Sequence, residues 1–171
     1  MEQAADTLAT TASGPRPAAT GRRWMTPYFA LALLVVVIDQ ATKILLRSRL
    51  AEGEAWPSTD AWLAISHVEN GGAAFGIMQG AGAFLLVVTV IGIAAILIYM
   101  WRFPPGQRLY VAALSLILGG AIGNLIDRAT KGTVTDFIDP AYYPAFNIAD
   151  SAIVIGVTTM VVLSFLDGRR A

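Results

Sequence analysis

Two carboxylates stand where a carboxylate is costly. Asp136 lies in the run Val134-Thr135-Asp136-Phe137-Ile138-Asp139-Pro140, and Asp150 in Phe146-Asn147-Ile148-Ala149-Asp150-Ser151. A solvated loop has no reason to wrap its acids in Val, Phe and Ile. Two acids sharing one apolar site cannot both ionise cheaply, so one pKa rises and a proton is held between them. Such a pair hydrolyses amides, one acid activating water while the other polarises and protonates the scissile group. The chemistry requires that the connection around Asp136 fold back towards Asp150.

Other polar residues accompany them. Asp39 and Lys43 are spaced i, i+4 with the acid first, the favoured order on a helix. Asp39 follows Pro27 by twelve residues, which is about 18 Å along a helix rising 1.5 Å per residue. Asn124 and Asp127, at i, i+3, face one direction and precede Arg128. On residue type and setting alone, Asp127 competes with Asp136 and Asp150 for a catalytic role. Plainer readings exist for both groups. Asp39–Lys43 can be an interfacial ion pair that ends a span, and Asn124–Arg128 a solvated helix end whose Arg complements the dipole.

Composition narrows the setting. Of 171 residues, 56% are hydrophobic and 14% charged, where an average soluble domain carries about 25% charge. Twelve basic residues balance twelve acidic ones, so no basic field exists to hold nucleic acid. The chain has no Cys, which removes disulfides, thiolate nucleophiles and Cys-based metal sites. His67 is the single histidine, which argues against a histidine-built metal site or a Ser-His-Asp triad. The chemistry must come from carboxylates, amides and hydroxyls, with no cofactor and no metal.

Four apolar stretches must position these groups, since about 20 such residues cross the ~30 Å hydrocarbon layer. The spans are expected at 27–46, 81–101, 109–126 and 146–166, the third and fourth ended by Asp127-Arg128 and by Asp167-Gly168-Arg169-Arg170. The fold class is therefore an all-α membrane protein, a four-transmembrane-helix bundle forming one domain over 24–168. Residues 1–23, rich in Ala, Thr, Gly and Pro, have nothing to bury and read as a disordered cytoplasmic tail. The run from Pro27 is not a cleaved leader, because Asp39-Gln40 stands where small residues are needed. The termini and the 102–108 loop hold seven Lys/Arg against five on the other side, which puts the termini in the cytoplasm and 47–80 and 127–145 outside. Ala61–Val68 suits a short strand by its aromatic and β-branched content. Ala73-Ala74-Phe75 between glycines suggests a second strand or a re-entrant turn. A small extracytoplasmic β-element over the bundle is expected.

Five boxes then appear in order: Asp39-Gln40-Ala41-Thr42-Lys43, Asn70-Gly71-Gly72-Ala73-Ala74-Phe75-Gly76, Gly119 to Arg128, Val134-Thr135-Asp136-Phe137, and Phe146-Asn147-Ile148-Ala149-Asp150-Ser151. Together, from about Pro27 to Leu166, they resemble bacterial lipoprotein signal peptidase (signal peptidase II). The resemblance implies an inner-membrane aspartyl endopeptidase that cuts the signal peptide from diacylglyceryl-modified prolipoproteins, just before the lipidated Cys. It assigns catalysis to Asp136 and Asp150. It assigns substrate binding or support to Asp39, Asn70, Asn124, Arg128 and Asn147, and demotes Asp127 to support beside Lys43. Partners are then the prolipoproteins and membrane lipids, and a monomer is expected.

Two rival classes stand beside this. A small transporter subunit would relay protons or cations along Asp39, Asp127 and Asp150, although these acids cluster at one interface. A non-enzymatic assembly factor would use the Gly-rich third helix as a docking face.

Overall fold

A computed structural model describes residues 23–72, 82–102 and 107–169. A single 3-10 turn, Arg23–Met25, leads into α1, Thr26–Arg47. Pro27 sits in the first turn, where its missing N–H costs nothing. β1 (Ala55–Trp56) and β2 (Leu63–Asn70) follow, then α2 (Gly82–Arg102), α3 (Arg108–Lys131), β3 (Val134–Pro140) and α4 (Ile148–Gly168). Residues 1–22 of the expected tail, and the turn around Ala73-Ala74-Phe75, lie outside the described residues.

All four α-helices are long and apolar enough to cross a membrane, as the composition requires. Their outward faces carry large exposed apolar side chains, among them Leu33, Val87, Ile91, Val154 and Phe165, a surface suited to lipid. α3 is the central element. Half of its apolar window is buried, against 6% for α2, and it packs on α1, α2 and α4.

Close approach along α3 depends on glycine. An added Cβ at Gly119 would lie 2.6 Å from the Ala32 carbonyl oxygen of α1, and one at Gly156 2.6 Å from the Ala113 oxygen of α3. At Gly123 the obstacle is chemical, since the Cβ would lie 2.7 Å from Asp39 Oδ2. Gly123→Ala should therefore displace a buried carboxylate and lower stability by roughly 1–3 kcal/mol, the usual cost of overpacking. Gly92→Ala, with nothing within 4 Å, should leave the thermal midpoint in detergent unchanged. Equal midpoints for the two variants would refute the close-approach account.

The bundle's interior changes character along its length. Near the start of α1 the core is apolar, built from Met25, Ala32, Met100, Val111, Leu114 and Leu118. At the other end it is polar: Asp39, Lys43, Asn124, Asp127, Thr135, Asp136 and Asn147 are all buried. Over that end lies an antiparallel sheet of order β1-β2-β3.

Several boundaries differ from the sequence expectation. The third span does not stop at 126, because α3 continues through Asp127 and Arg128 to Lys131 and ends at Gly132, φ +82°. The strand expected at 61–68 is shifted to Leu63–Asn70. β3 is not among the expected strands at all. The fourth helix begins at Ile148, with Asn147 as its N-cap.

Candidate active site

The site is assembled where α3 ends, α4 begins and β3 crosses between them. Asn147 has extended backbone, and its side-chain oxygen accepts from the Asp150 main-chain N at 2.9 Å. The Asp150 carboxylate in return accepts from the Asn147 main-chain N through Oδ2 at 3.3 Å. This reciprocal capping satisfies two of the N–H groups a helix start leaves unpaired. It also fixes Asp150 as the third residue of α4, facing back towards the sheet.

Asn147 uses its remaining group on the other acid. Its Nδ2 donates to Asp136 Oδ1 at 2.7 Å, so one residue touches both carboxylates. Asn70, at the end of β2, donates to Asp136 Oδ2 at 3.0 Å and accepts from the Gly72 N–H at 3.0 Å. Asn124 donates to Asp150 Oδ1 at 2.7 Å. Each of the four carboxylate oxygens thus receives a hydrogen bond, every donor an asparagine side chain or main-chain group.

The orientation of the Asn124 amide is set from below. Its Oδ1 accepts from Lys43 Nζ at 3.0 Å and from Asn147 Nδ2 at 3.2 Å. An ammonium can only donate, so the oxygen must face Lys43 and the NH2 must face Asp150. Lys43 also binds Asp39 Oδ2 and Asp127 Oδ2, both at 2.9 Å. Asp39 Oδ1 accepts from the Ala149 main-chain N at 3.0 Å, which ties the first turn of α4 to α1. Gln40 donates to Asp39 Oδ2 at 3.1 Å and to the Gly123 carbonyl at 3.0 Å.

Asp127 is committed to cations. Besides Lys43 it meets Arg47 at 3.5 Å and Lys131 at 3.6 Å, and accepts from the Thr135 main-chain N at 3.3 Å. It is buried and does not border the cavity described next.

A cavity of about 280 Å³ opens over the pair of acids. Asn70, Asn124, Arg128, Asp136 and Asp150 form its polar wall, and Val134, Tyr143, Phe146, Ile153 and Val154 contribute to its apolar wall. Arg128 reaches the Gly72 carbonyl at 3.4 Å. Burial pushes the Asp136 carboxyl from its ordinary 3.8 up to about 6; the Asn70 hydrogen bond opposes the rise and the charge of Asp150 adds to it. A carboxyl that keeps its proton up to about pH 6 beside a second acid is the kind of shared-proton arrangement an aspartyl pair uses.

The nine candidate site residues named from the sequence lie in this one assembly. Asp136, Asp150, Asn70, Asn124 and Arg128 border the cavity; Asn147 bridges the acids; Asp39, Lys43 and Asp127 support them from beneath. The plainer readings do not hold. Asp39 and Lys43 are fully buried rather than ending a span, and Asp127 is 1% exposed rather than solvated. The acids gather at one end of the bundle instead of forming the path a proton relay would need.

Sequence reasoning misses Gln40, Arg47, Glu69, Lys131 and Thr135. Two signals could find some of them. Arg47 is four residues beyond Lys43 and Lys131 four beyond Asp127, each on the same helical face as its predecessor. Asn147 and Asp150 also carry the spacing of an N-cap and its N3 partner.

Comparison with known proteins identifies the family and the fold. The family model for signal peptidase (SPase) II matches residues 31–166. The lipoprotein signal peptidase of Bacillus subtilis (strain 168) is 42% identical over 147 residues, covering 84% of this chain and 96% of that protein. That of Bacillus pumilus (strain SAFR-032) is 38% identical over 147 residues, covering 84% and 95%. Two solved structures of a bacterial membrane enzyme, obtained by the in meso method at 2.3 and 1.9 Å, superpose with TM-scores of 0.78 and 0.72 at 33% identity. They cover 83% and 80% of this chain, and 89% and 91% of their own. With four apolar helices and these bacterial relatives, the molecule is a multi-pass bacterial membrane protein. The chain belongs to the signal peptidase II family.

Proposed function

We propose that this chain is an aspartic endopeptidase that removes the signal peptide from diacylglyceryl-modified prolipoproteins, cutting just before the lipidated Cys. One observation carries the reading: Asn147 hydrogen-bonds both Asp136 and Asp150, at the floor of a cavity that both acids line. The ionised carboxylate takes a proton from water as the water oxygen attacks the scissile carbonyl carbon. The protonated carboxyl gives its proton to the carbonyl oxygen. Collapse of the tetrahedral intermediate breaks the C–N bond: the proton taken from water leaves on the amine, and one hydroxyl proton of the intermediate returns to the second carboxylate, which restores the pair. Asn70, Asn124 and Asn147 hold the pair, and Arg128 supplies a cationic wall for the substrate backbone.

The substrate class follows from the names of the relatives, both lipoprotein signal peptidases. Ile153 and Val154 carry the cavity wall onto α4, where Val154 is exposed among other outward apolar side chains, which suits a substrate whose acyl chains stay in the bilayer. The excess of Lys and Arg at the termini and the 102–108 loop supports cytoplasmic termini and a site on the outer face of the inner membrane.

Purified protein in detergent should cleave a precursor peptide carrying diacylglyceryl-Cys at the amide before that residue. The same peptide with an unmodified Cys should be cut at least about tenfold more slowly. Failure to cleave either would refute the peptidase reading, and equal cleavage of both would refute the lipid requirement.

A further inference from the structure

A second polar assembly lies on the back of the sheet. Glu69 and Thr135 are direct partners across β2 and β3, and each precedes a site residue, Asn70 and Asp136. Successive side chains on a strand point to opposite faces, so the Glu69–Thr135 contact lies behind the Asn70–Asp136 hydrogen bond. The register between these strands shifts between Ile65 and Val68, and the pairing resumes from Val68↔Asp136 to Asn70↔Val134, so the Glu69–Thr135 contact lies on the resumed stretch beside the site.

Thr135 anchors that contact. A hydroxyl has one proton to give and two lone pairs, and all three are used. Thr135 Oγ1 donates to Glu69 Oε1 at 2.8 Å and accepts from Arg47 Nη1 at 2.8 Å and Lys131 Nζ at 3.2 Å. Its main-chain N donates to Asp127 and its carbonyl accepts from Asn147 Nδ2 at 3.4 Å. Glu69 is held in turn by Thr133 Oγ1 and by His67 Nε2 at 3.1 Å, whose Nδ1 meets the Leu50 carbonyl at 3.0 Å. Burial pushes the Glu69 carboxyl up, but the bonds from Thr133, Thr135 and His67 outweigh it and leave its pKa below the usual carboxylate value. It is thus an ionised acceptor on which Thr135 can close.

We infer that Thr135, locked by Glu69 from β2, Arg47 from α1 and Lys131 from α3, is a positioning residue that sets Asp136 against Asn70 and Asn147. The inference deepens the aspartic-peptidase reading and rests on it. The groups facing Thr135 from its neighbours are Glu69, Arg47, Lys131 and Asp127; His67 stands one step behind.

The test compares Thr135→Val, which keeps the shape and loses the hydroxyl, with Thr135→Ser, which keeps the hydroxyl. Thr135→Val should lower kcat about tenfold, in the range a small misplacement costs, with KM within about twofold. The limb of the pH profile that reports Asp136 should move to higher pH, because the Asn70 bond that opposes its rise is loosened. Thr135→Ser should restore both. Glu69→Gln should lower kcat less in the Thr135→Val background than it does alone, since the bond between the two is already gone there.

A readout without substrate keeps this separate from the peptidase reading. The pH-dependent part of the thermal midpoint that is lost on Asp136→Asn should lie at higher pH in the Thr135→Val background. Wild-type cleavage absent while this shift is present would sink the peptidase reading and support the positioning role. Wild-type kcat and an unmoved pH limb in Thr135→Val would overturn the inference. So would equal losses in Thr135→Val and Thr135→Ser that track a lowered midpoint.

Discussion

Asp136→Asn and Asp150→Asn should each lower cleavage of a lipidated precursor by about 10³-fold or more, while the protein remains inserted and folded. General acid or base catalysis by one placed group is worth ~10²–10⁴, and here the two acids share a single proton task. Asparagine keeps the shape and, through its single amide oxygen, can receive one of the two hydrogen bonds that each carboxylate now accepts, but it cannot exchange a proton. Asp127→Asn separates the alternatives. Asp127 does not border the cavity that Asp136 and Asp150 line and is bound to Lys43, so its variant should lose stability first and activity only as a consequence. A fully active Asp136→Asn or Asp150→Asn protein would remove that residue from the pair. A folded but inactive Asp127→Asn protein, with either of the others active, would mean that the wrong pair is assigned.

The same Asp136 variant has a stability signature. A folded pKa of about 6 against an ordinary 3.8 means that the native state holds a proton which the unfolded chain releases. Between those values the native state binds more protons, so stability falls as pH rises through the window and levels off above it. Asp136→Asn has no proton to lose. Its stability should rise relative to wild type from pH 4 to pH 6 and stay higher beyond, by an amount on the order of 3 kcal/mol, read as a widening difference in thermal midpoint. A wild-type-minus-variant difference that is flat with pH would contradict the raised value.

What the sequence makes legible, and what it hides, follows from which forces have a local signature. Apolar runs longer than a bilayer's thickness need no partner to be recognised, and all four helices are visible in them. Asp39–Lys43 and Asn124–Asp127 are visible as same-face pairs, because helical spacing is a local property. β3 is hidden because Val134, Thr135, Asp136 and Phe137 are all buried, and a strand covered on both faces shows no alternation. β2 is displaced in the reading because Ser66 and His67 are both buried where the register shifts, which breaks the period of two. The end of α3 is misplaced for another reason. Asp127, Arg128 and Lys131 look like a solvated terminus until Lys43 and Arg47 arrive from α1 to receive Asp127, and no window along the chain contains that meeting.

That meeting also predicts the largest stability effect. Lys43 is fully buried between Asp39 and Asp127, so Lys43→Met would leave two carboxylates inside the bundle without their shared cation. Breaking a buried ion network from one side costs about 3–5 kcal/mol, a large share of the roughly 5–15 kcal/mol that holds a typical domain. Lys43→Met should fail to accumulate as folded protein. The partners can be removed with it. In the triple variant Asp39→Asn, Lys43→Met, Asp127→Asn no buried charge is stranded, and the amide oxygen introduced at position 39 can still accept from the Ala149 N–H. Folding should therefore recover. Activity should not, because without the ammonium only the Asn147 bond at 3.2 Å keeps the Asn124 oxygen facing away from Asp150, and a flipped amide would present its oxygen to that carboxylate. A loss of about 10- to 100-fold in cleavage is expected in the folded triple variant, the scale on which small misplacements act. A stable single variant would show that the ion network contributes little, whereas a triple variant with wild-type rate would show that Lys43 orients nothing.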